Sequence, residues 1–368
     1  MRNAQLIDRL RQRLLETFRP LIATGHPVAL IDYPDHKNCG DHAIWLGEKA
    51  LLRELGVTVA YECSMRSYDR AEMASAIASN TILMHGGGNF GDIYGYQQFR
   101  HQVLTEFPDN KVLVLPQTVM FYSDRNLMAS RALFAAHRDV TIAARDVLSL
   151  HVLRRYFGEN AKIVLAPDTA LMLGARSRHA APSYDIVWLS RTDIESAFGA
   201  QLRESVALPD LCETEFKLTG FSGGADMAVA ADVAGTKLMV TDWRRCEFST
   251  PAGRAAFQTF DRDQRSSHLV DLAFRMLGAG KVVITDRLHG HILCVLAGIS
   301  HVLLNNSYGK MIPFYETWSR PLEGCRLANS PAHAWQMAQE MVGEMAGSDG
   351  PRGGAAPLTA SPVQLRPA

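Results

Sequence analysis

The amino-acid sequence predicts an α/β protein of two doubly wound, Rossmann-like domains with a cleft between them. Along most of the 368 residues, short and continuously apolar segments alternate with segments of helical periodicity. Strands that are apolar on both faces and separated by helices are typical of a parallel sheet covered on both sides. The alternation pauses at residues 175–184, where Arg, Ser and Pro interrupt it, and then resumes. We therefore predict a first domain at 26–174, a linker at 175–184 and a second domain at 185–345.

The predicted strands are short β-branched or leucine-rich segments, six before the linker and four after it. Segments between them have the apolar spacing of helices, as in 43–55, 129–136 and 147–157. The tail, 346–368, is rich in Gly, Pro, Ala and Ser, so we expect it to be disordered. The strands are predicted at Val28–Tyr33, Val57–Tyr61, Thr81–His85, Lys111–Leu115, Val140–Ala144, Ile163–Ala166, Asp185–Ser190, Lys237–Thr241, Lys281–Thr285 and His301–Leu304.

Residues 1–25 are predicted to form a basic amphipathic helix. Arginines lie between apolar side chains that recur at helical spacing, which are Leu6, Ile7, Leu10, Leu14 and Phe18. Such a helix either packs on its own domain or lies on an anionic surface, which would bring residues 1–20 into peripheral contact with the inner membrane.

Composition argues against several classes of protein. Lys and Arg number 38, as do Asp and Glu, so we expect no broad nucleic-acid surface. The six cysteines form no Cys-x-x-Cys pair, which favours reduced thiols and a cytoplasmic location. No His, Cys or carboxylate cluster has metal-ligand spacing, so no metal site is predicted. A secretory apolar region and a long uncharged apolar stretch are both missing from the sequence.

The most informative segment is Asp286-Arg287-Leu288-His289-Gly290-His291, which follows a predicted strand and precedes an apolar helical pattern. Arg287 and His289 should therefore lie at the amino end of a helix, where free backbone N–H groups and the helix dipole favour an anion. A guanidinium beside an imidazole can hold phosphate or carboxylate and move a proton near neutral pH. A simpler alternative is that Arg287 pairs with Asp286 and that His289 caps the helix.

Other predicted strands also end in polar residues, where ligands of doubly wound sheets bind. Asp41 follows the first strand, and the glycine-rich segment 85–92 follows the third. Its glycine spacing matches a dinucleotide fingerprint, but the next strand closes with Pro116-Gln117 instead of an acidic residue, which argues against a nicotinamide enzyme. Arg191 ends the first strand of the second domain and could face the same crevice as Arg287. The simplest roles of Arg145-Asp146 and of Asp168 are an ion pair and a turn.

Taken together and in order, these motifs resemble the polysaccharide pyruvyl transferase family from about residue 28 to 320. The resemblance implies transfer of the enolpyruvyl unit of phosphoenolpyruvate to sugar hydroxyls, on a fold like that of B-type glycosyltransferases. The product would be a pyruvate ketal on an exopolysaccharide or wall glycan, with a sugar acceptor that is expected to be lipid-linked. No cofactor is implied beyond phosphoenolpyruvate as donor. The motifs are Asn38-x-Gly40-Asp41, His85-Gly86-Gly87-Gly88-Asn89-x-Gly91-Asp92, Pro116-Gln117-Thr118, Ala144-Arg145-Asp146, Pro167-Asp168 and Asp286 to His291.

By this resemblance, the phosphoenolpyruvate pocket would consist of Arg191, Arg287, Leu288 and His289. The chemistry needs an acid that protonates the enol methylene and a base for the attacking hydroxyl. We predict His289 as the acid and either Asp92 or Asp41 as the base, with Asp92 preferred because it lies in the glycine loop. The acceptor side would include Gly87, Gly88, Asn89 and Gln117. Two alternatives stay open, a nucleotide-sugar-dependent glycosyltransferase of the same architecture and a non-catalytic sensor or assembly partner.

Overall fold

The structure is a computed structural model that describes residues 3–191, 215–216, 226–233, 235–243, 259–305, 309 and 311–348. Two separate sheets, one on each side of the predicted linker, confirm the α/β class and the two Rossmann-like halves. The first half comprises α1 (Asn3–Phe18), β1 (Val28–Ile31), α2 (Cys39–Glu54), β2 (Val59–Cys63), α3 (Arg70–Ile77), β3 (Ile82–Met84), β4 (Gly87–Gly91), α4 (Tyr96–Glu106), β5 (Val112–Met120), α5 (Asp124–Ala136), β6 (Val140–Ala144), α6 (Val147–Tyr156), β7 (Lys162–Leu165) and a 3₁₀ helix (Thr169–Leu173).

The first sheet is parallel, with the strand order β2-β1-β3-β5-β6-β7 and with β4 also paired to β5. The chain runs from β1 to β2 on one side and then returns to place β3 on the other side of β1. The loops after β1 and β3 therefore diverge, which opens a crevice at the carboxyl ends of these strands. Asn38, Asp41 and the glycine-rich segment 85–88 lie at these ends.

The second half comprises β8 (Tyr184–Leu189), β9 (Glu215–Phe216), β10 (Asp226–Val233), β11 (Thr236–Thr241), α7 (Arg262–Gly278), β12 (Gly280–Thr285), α8 (Leu288–Ala297), β13 (Ser300–Leu304), α9 (Met311–Phe314), a π-helical turn (Tyr315–Ser319), β14 (Cys325–Ala328) and α10 (Pro331–Ser348). Its sheet has the order β14-β13-β12-β8-β11-β10-β9. Strand β10 runs antiparallel to both of its neighbours, β11 and β9. After β11 the chain crosses to the other side of β8. The second crevice thus lies between Arg191, after β8, and Arg287, after β12.

The two halves share one apolar core. Side chains alternate along each sheet, so that Leu30 and Val187 face this core whereas Ile31 and Trp188 face the outer cores of their own sheets. Helices α1 and α2 of the first half and α7 and α8 of the second contribute to the shared core. Because this packing is continuous, it fixes the two crevices relative to each other.

Helix α1 belongs to this shared core. The five apolar side chains predicted for its buried face are at most 3% exposed, and Asn3 Nδ2 donates to the carbonyl oxygen of Val295 in α8, at 3.1 Å. The apolar face of α1 is therefore occupied by protein, which argues against the membrane-surface alternative and supports packing on the chain's own fold. Among the described residues, we find no helix whose length and apolar content would let it cross a bilayer.

The ten predicted strands all occur, with ends that shift by at most five residues. Strands β4, β9, β10 and β14 were not predicted. Strand β4 was missed because three of its five residues are glycines, which are poor strand formers. Helix α10 continues through Ser348, into the segment predicted to be a disordered tail, and residues 349–368 lie outside the described part of the chain.

Candidate active site

The amino ends of α2 and α8 meet across the cleft, and His289 lies at their junction. A methyl group built on Gly40, in the first turn of α2, would place its carbon 2.5 Å from Cγ and 2.7 Å from Cβ of His289. Only glycine therefore allows the imidazole to lie this close to α2. Helix α8 has Arg287 as its N-cap, without a side-chain cap hydrogen bond, so its first N–H groups are available to a ligand.

A buried carboxylate holds the other side of His289. Asp168 Oδ2 lies 3.4 Å from His289 Nε2 and accepts a hydrogen bond from Arg145 Nη1 at 2.9 Å. Burial alone would raise the pKa of Asp168, but His289 and Arg145 hold it well below its usual value. Asp168 is therefore an anion that can orient the imidazole, as a carboxylate does in an Asp–His pair.

The arginine that holds Asp168 is itself fixed by a buried network. Arg145 Nε donates to Thr118 Oγ1 at 2.8 Å, and the same hydroxyl donates to Asp146 Oδ2 at 3.0 Å. Asp146 also caps α6 by accepting from Ser149 N. The expected ion pair of Arg145 is thus made with Asp168, which follows the next strand, β7, and not with its chain neighbour Asp146.

Arg287 pairs with Asp242 and not with Asp286. Its Nη2 donates to Asp242 Oδ2 at 2.7 Å, and its guanidinium lies 5.5 Å from the centre of the Trp243 ring. Trp243 Nε1 in turn donates to Asn38 Oδ1 at 3.2 Å, which links this arginine to the amino end of α2. These contacts fix the direction of the Arg287 side chain on the second half's side of the cleft.

Asp286 instead joins the ends of β8 and β12. Its Oδ1 accepts from the backbone N of Arg191 at 3.0 Å, which brings Arg191 to the same crevice as Arg287, as predicted. Burial raises the pKa of Asp286 to about 6, although Arg287 and Arg191 oppose this shift.

Asp41 is the candidate base that the structure places beside His289. It follows Gly40 in the first turn of α2, and its Oδ2 accepts from Asn38 Nδ2 at 2.8 Å and lies 3.4 Å from His36 Nε2. Burial would raise the pKa of Asp41, but His36 and His289 outweigh burial and lower it. The carboxylate is therefore ionised near neutral pH and can accept a proton.

Asp92, the base preferred from the sequence, has a different environment. Its carboxylate accepts three hydrogen bonds, from Tyr122 N at 2.7 Å, Ser123 N at 2.9 Å and Asn126 Nδ2 at 3.0 Å. The unpredicted strand β4 carries the chain past the end of β3 by five residues, on the order of 15 Å at the usual rise of a strand. Asp92 thus secures the connection between β5 and α5, and the structure favours Asp41 as the base.

The glycine-rich segment, which was predicted for the acceptor side, lies against Asp41. A carbon built on Gly87, whose φ is +118°, would be 3.8 Å from Asp41 Oδ1. Gln117 supports the segment by donating from Nε2 to the His85 carbonyl at 2.6 Å, and Asn89 accepts through its carbonyl from Arg100 Nη1 at 2.9 Å. Gly88 lies between Gly87 and Asn89 in β4. These groups shape the first half's wall of the cleft through the backbone.

Comparison with known proteins decides the family. A model described as "Polysaccharide pyruvyl transferase" matches residues 38–218 and 255–308. The chain belongs to the polysaccharide pyruvyl transferase family. Pyruvyl transferase 1 of Schizosaccharomyces pombe is 32% identical over 330 residues, which cover 86% of this chain and 75% of that protein. The putative pyruvyl transferase EpsO of Bacillus subtilis is 29% identical over 312 residues, 82% of this chain and 90% of that protein.

A solved structure supports the fold of this pyruvyl transferase family member. The crystal structure of a functionally uncharacterised protein from Klebsiella pneumoniae superposes with a TM-score of 0.53. The alignment covers 88% of this chain and 98% of that chain, at 18% identity. The likeness concerns the two-sheet architecture alone.

Several residues of the pyruvyl transferase site were not predicted from the sequence. Glu48, fully buried in α2, accepts from His85 Nδ1 and from Gly86 N, both at 2.8 Å, and so holds the glycine-rich segment from behind. Nothing in a helical pattern marks this residue. Asp242 and Trp243 directly follow β11, so the same rule on carboxyl ends of strands that selected Arg191 would have found them.

A second group of titratable side chains is buried in the second half of the chain. His291, His301 and Cys325 are buried, with one donor atom each within 4.8 Å of the others. His291 Nδ1 and His301 Nε2 are 2.7 Å apart, His291 Nε2 is 2.8 Å from Ser319 Oγ, and His301 Nδ1 is 2.8 Å from the Ile299 carbonyl. Two neutral imidazoles in a hydrogen-bonded chain account for this arrangement. Burial accordingly lowers the pKa of His301 to about 4 and that of His291 well below its usual value.

Proposed function

We propose that this pyruvyl transferase uses phosphoenolpyruvate as donor and joins its three-carbon unit to two hydroxyls of a sugar as a pyruvate ketal. The acceptor is a precursor of an exopolysaccharide or cell-wall glycan, carried on a lipid. The observation that supports this most is the position of His289, between the amino end of α8, the anionic Asp168 and the ionised Asp41. A proton donor, an anion site and a base thus converge in one cleft.

The donor site would be on the second half's side of the cleft. Phosphoenolpyruvate carries a phosphate and a carboxylate, which suit the N–H groups at the start of α8 together with Arg191 and Arg287. Leu288, the first residue of α8, is buried and supplies one of these N–H groups. The pair with Asp242 holds the Arg287 guanidinium in a fixed direction, so less side-chain freedom is lost when the donor binds.

The reaction would begin with proton transfer from His289 to the methylene carbon of the enol, which makes the adjacent C2 electrophilic. A sugar hydroxyl attacks C2 while Asp41 takes its proton. Phosphate then leaves, and a second hydroxyl closes the ketal ring and gives its proton to the imidazole of His289, which is neutral after the first step. Asp168 would stabilise the imidazolium form of His289 before the transfer and keep the ring oriented, and Arg145 would keep Asp168 ionised.

The donor is tested by binding. Phosphoenolpyruvate should raise the melting temperature of the protein, whereas a panel of nucleotide sugars should not. If a nucleotide sugar stabilises the protein and phosphoenolpyruvate does not, the chain is a glycosyltransferase instead. Phosphate release with a panel of lipid-linked or aryl glycosides then identifies the acceptor.

Three variants test the roles of the side chains. His289→Ala should lower transfer by roughly 10²–10⁴, the usual contribution of a positioned acid, while calorimetry still detects phosphoenolpyruvate binding. Asp41→Asn should also spare donor binding and lose transfer. Asp92→Asn is the matched control: its single acceptor oxygen can keep the bond from Tyr122 N or that from Ser123 N but not both, so it should lose some stability and retain turnover. Loss of turnover in Asp92→Asn with normal turnover in Asp41→Asn would return the base to Asp92.

A further inference from the structure

We infer that three consecutive residues of the π-helical turn, Thr317, Trp318 and Ser319, form a clasp that positions His289 from a distance. The inference rests on the proposed role of His289 as the acid. None of the three side chains lies in the sequence motifs of the site. They are positioning residues, because Trp318 contacts Arg145, whose side chain holds Asp168 beside His289, while Thr317 and Ser319 attach the turn to α6 and α8.

The clasp makes one hydrogen bond to each of three different elements. Trp318 Nε1 donates to the Arg145 carbonyl oxygen at 2.7 Å, and Thr317 Oγ1 accepts from Val147 N at 3.2 Å. Both of these bonds cross from the second half to the first, at the end of β6 and the start of α6. Ser319 Oγ lies 2.8 Å from Nε2 of His291, inside the second half.

These bonds complete a closed circuit that begins and ends on α8. His291 and His289 are two residues apart on this helix. From His291 the circuit runs through the clasp to the backbone of Arg145, then from its side chain to Asp168, and from Asp168 to His289. A circuit of this kind fixes the end of β6 relative to the start of α8, and so sets the distance between Asp168 and His289.

The local geometry of the turn fits this function. A π-helical turn is rare, and such turns occur frequently at functional sites. Here the wide turn follows directly on α9 and presents three successive side chains to three partners. Ser319 is buried, and Trp318 packs against the shared core, so the turn cannot shift without disturbing either contact.

Trp318→Phe is the direct test, because it removes the indole N–H and keeps an aromatic ring. We expect kcat for phosphate release to fall by about tenfold with little change in the phosphoenolpyruvate Kd, since a misplaced acid slows proton transfer without removing a donor contact. Trp335→Phe, on α10 against the outer core of the second sheet, is the matched control and should keep its kcat. A purely structural clasp would lower the melting temperature of Trp318→Phe and leave kcat within twofold, which would overturn the inference.

A double-mutant cycle tests whether the effect passes through Asp168. In an Asp168→Asn background, Trp318→Phe should change kcat by less than twofold, because the contact that the clasp positions is already lost. An equal, tenfold effect in both backgrounds would contradict the circuit. If Trp318→Phe folds poorly, Thr317→Val and Thr317→Ser replace it, since only serine keeps the hydroxyl and should restore the wild-type rate.

A spectroscopic measurement separates this inference from the proposed function. With ¹⁵N-labelled histidine, the ring nitrogen signals of His289 report its tautomer and its contact with Asp168. These signals should move in Trp318→Phe and in Asp168→Asn but not in Trp335→Phe, whether or not any acceptor is pyruvylated. Unchanged His289 signals in Trp318→Phe would refute the clasp, and a failure to release phosphate would refute only the proposed reaction.

Discussion

A methyl group at position 40 should inactivate the enzyme while leaving it folded. In Gly40→Ala the new carbon would lie 2.5 Å from Cγ and 2.7 Å from Cβ of His289. Carbon atoms pack at about 3.5–4.0 Å, so the histidine and α2 must separate by roughly 1 Å. Rotation of the imidazole cannot relieve the clash, because Cβ of His289 is itself too close.

The two consequences of Gly40→Ala differ in size. A displacement of roughly 1 Å at a reacting group can cost about 10² in rate, so we expect kcat to fall by about that factor. Overpacking costs about 1–3 kcal/mol, but alanine is favoured over glycine within a helix by about 1 kcal/mol. The free energy of unfolding should therefore fall by no more than about 2 kcal/mol.

Two other glycines provide the controls. In Gly47→Ala, also in α2, the new carbon would lie 2.5 Å from the carbonyl carbon of Thr169, the residue after Asp168, so this variant should lose both stability and rate. Gly343→Ala, in α10, meets no atom within 4 Å and should change neither. Phosphate release and urea denaturation on all three variants separate the effects. A Gly40→Ala enzyme with a kcat within threefold of wild type would refute the close packing of α2 on His289.

Three further predictions follow from the same contacts. Arg287→Lys keeps the charge but not the planar fork that faces Asp242, so most activity should be lost in the phosphate-release assay, and near-normal turnover would remove Arg287 from the site. The double variant Leu6→Glu, Leu10→Glu should not fold, because both side chains are buried, and circular dichroism would show this. A folded double variant that only loses binding to anionic vesicles would support a membrane role instead. His301 has a pKa of about 4 in the folded protein, against 6.5 for an ordinary histidine. The unfolded chain therefore binds a proton at higher pH than the folded protein does, and the free energy of unfolding falls as the pH drops from about 6.5 to about 4. Urea denaturation at pH 7 and pH 5 should show most of this loss, roughly 2 kcal/mol from this residue, and His301→Gln should show a smaller pH dependence.

The sequence predicts the strands well because both sheets are buried on two faces. Residues such as Leu30 and Ile31 point into different cores, so the whole strand is apolar and stands out from its neighbours. The same rule places Arg191 and Arg287 correctly, because the carboxyl ends of adjacent parallel strands must lie at one edge. Strand β4 escapes this rule, since its glycines carry no apolar pattern.

The partners of charged residues are harder to predict, because strand order decides them. Arg145 lies next to Asp146 in the chain, but β6 pairs with β7, and Ala144 is opposite Leu165 in that pair. The residues just beyond these strands, Arg145 and Asp168, therefore become neighbours. Sequence proximity indicates the wrong pair here, and only the sheet indicates the right one.

Which of the two aspartates can lie close to His289 also depends on packing that the sequence does not reveal. Asp41 and Asp92 both follow strands in the sequence and differ little as candidates there. In the structure, Asp41 begins a helix that lies in the shared core, and the absence of a side chain at Gly40 lets His289 of the other half approach that helix. The distance between the proposed acid and the proposed base is therefore set by helix packing between the halves. Since both groups are anchored in one continuous core, their geometry is already present before a substrate binds.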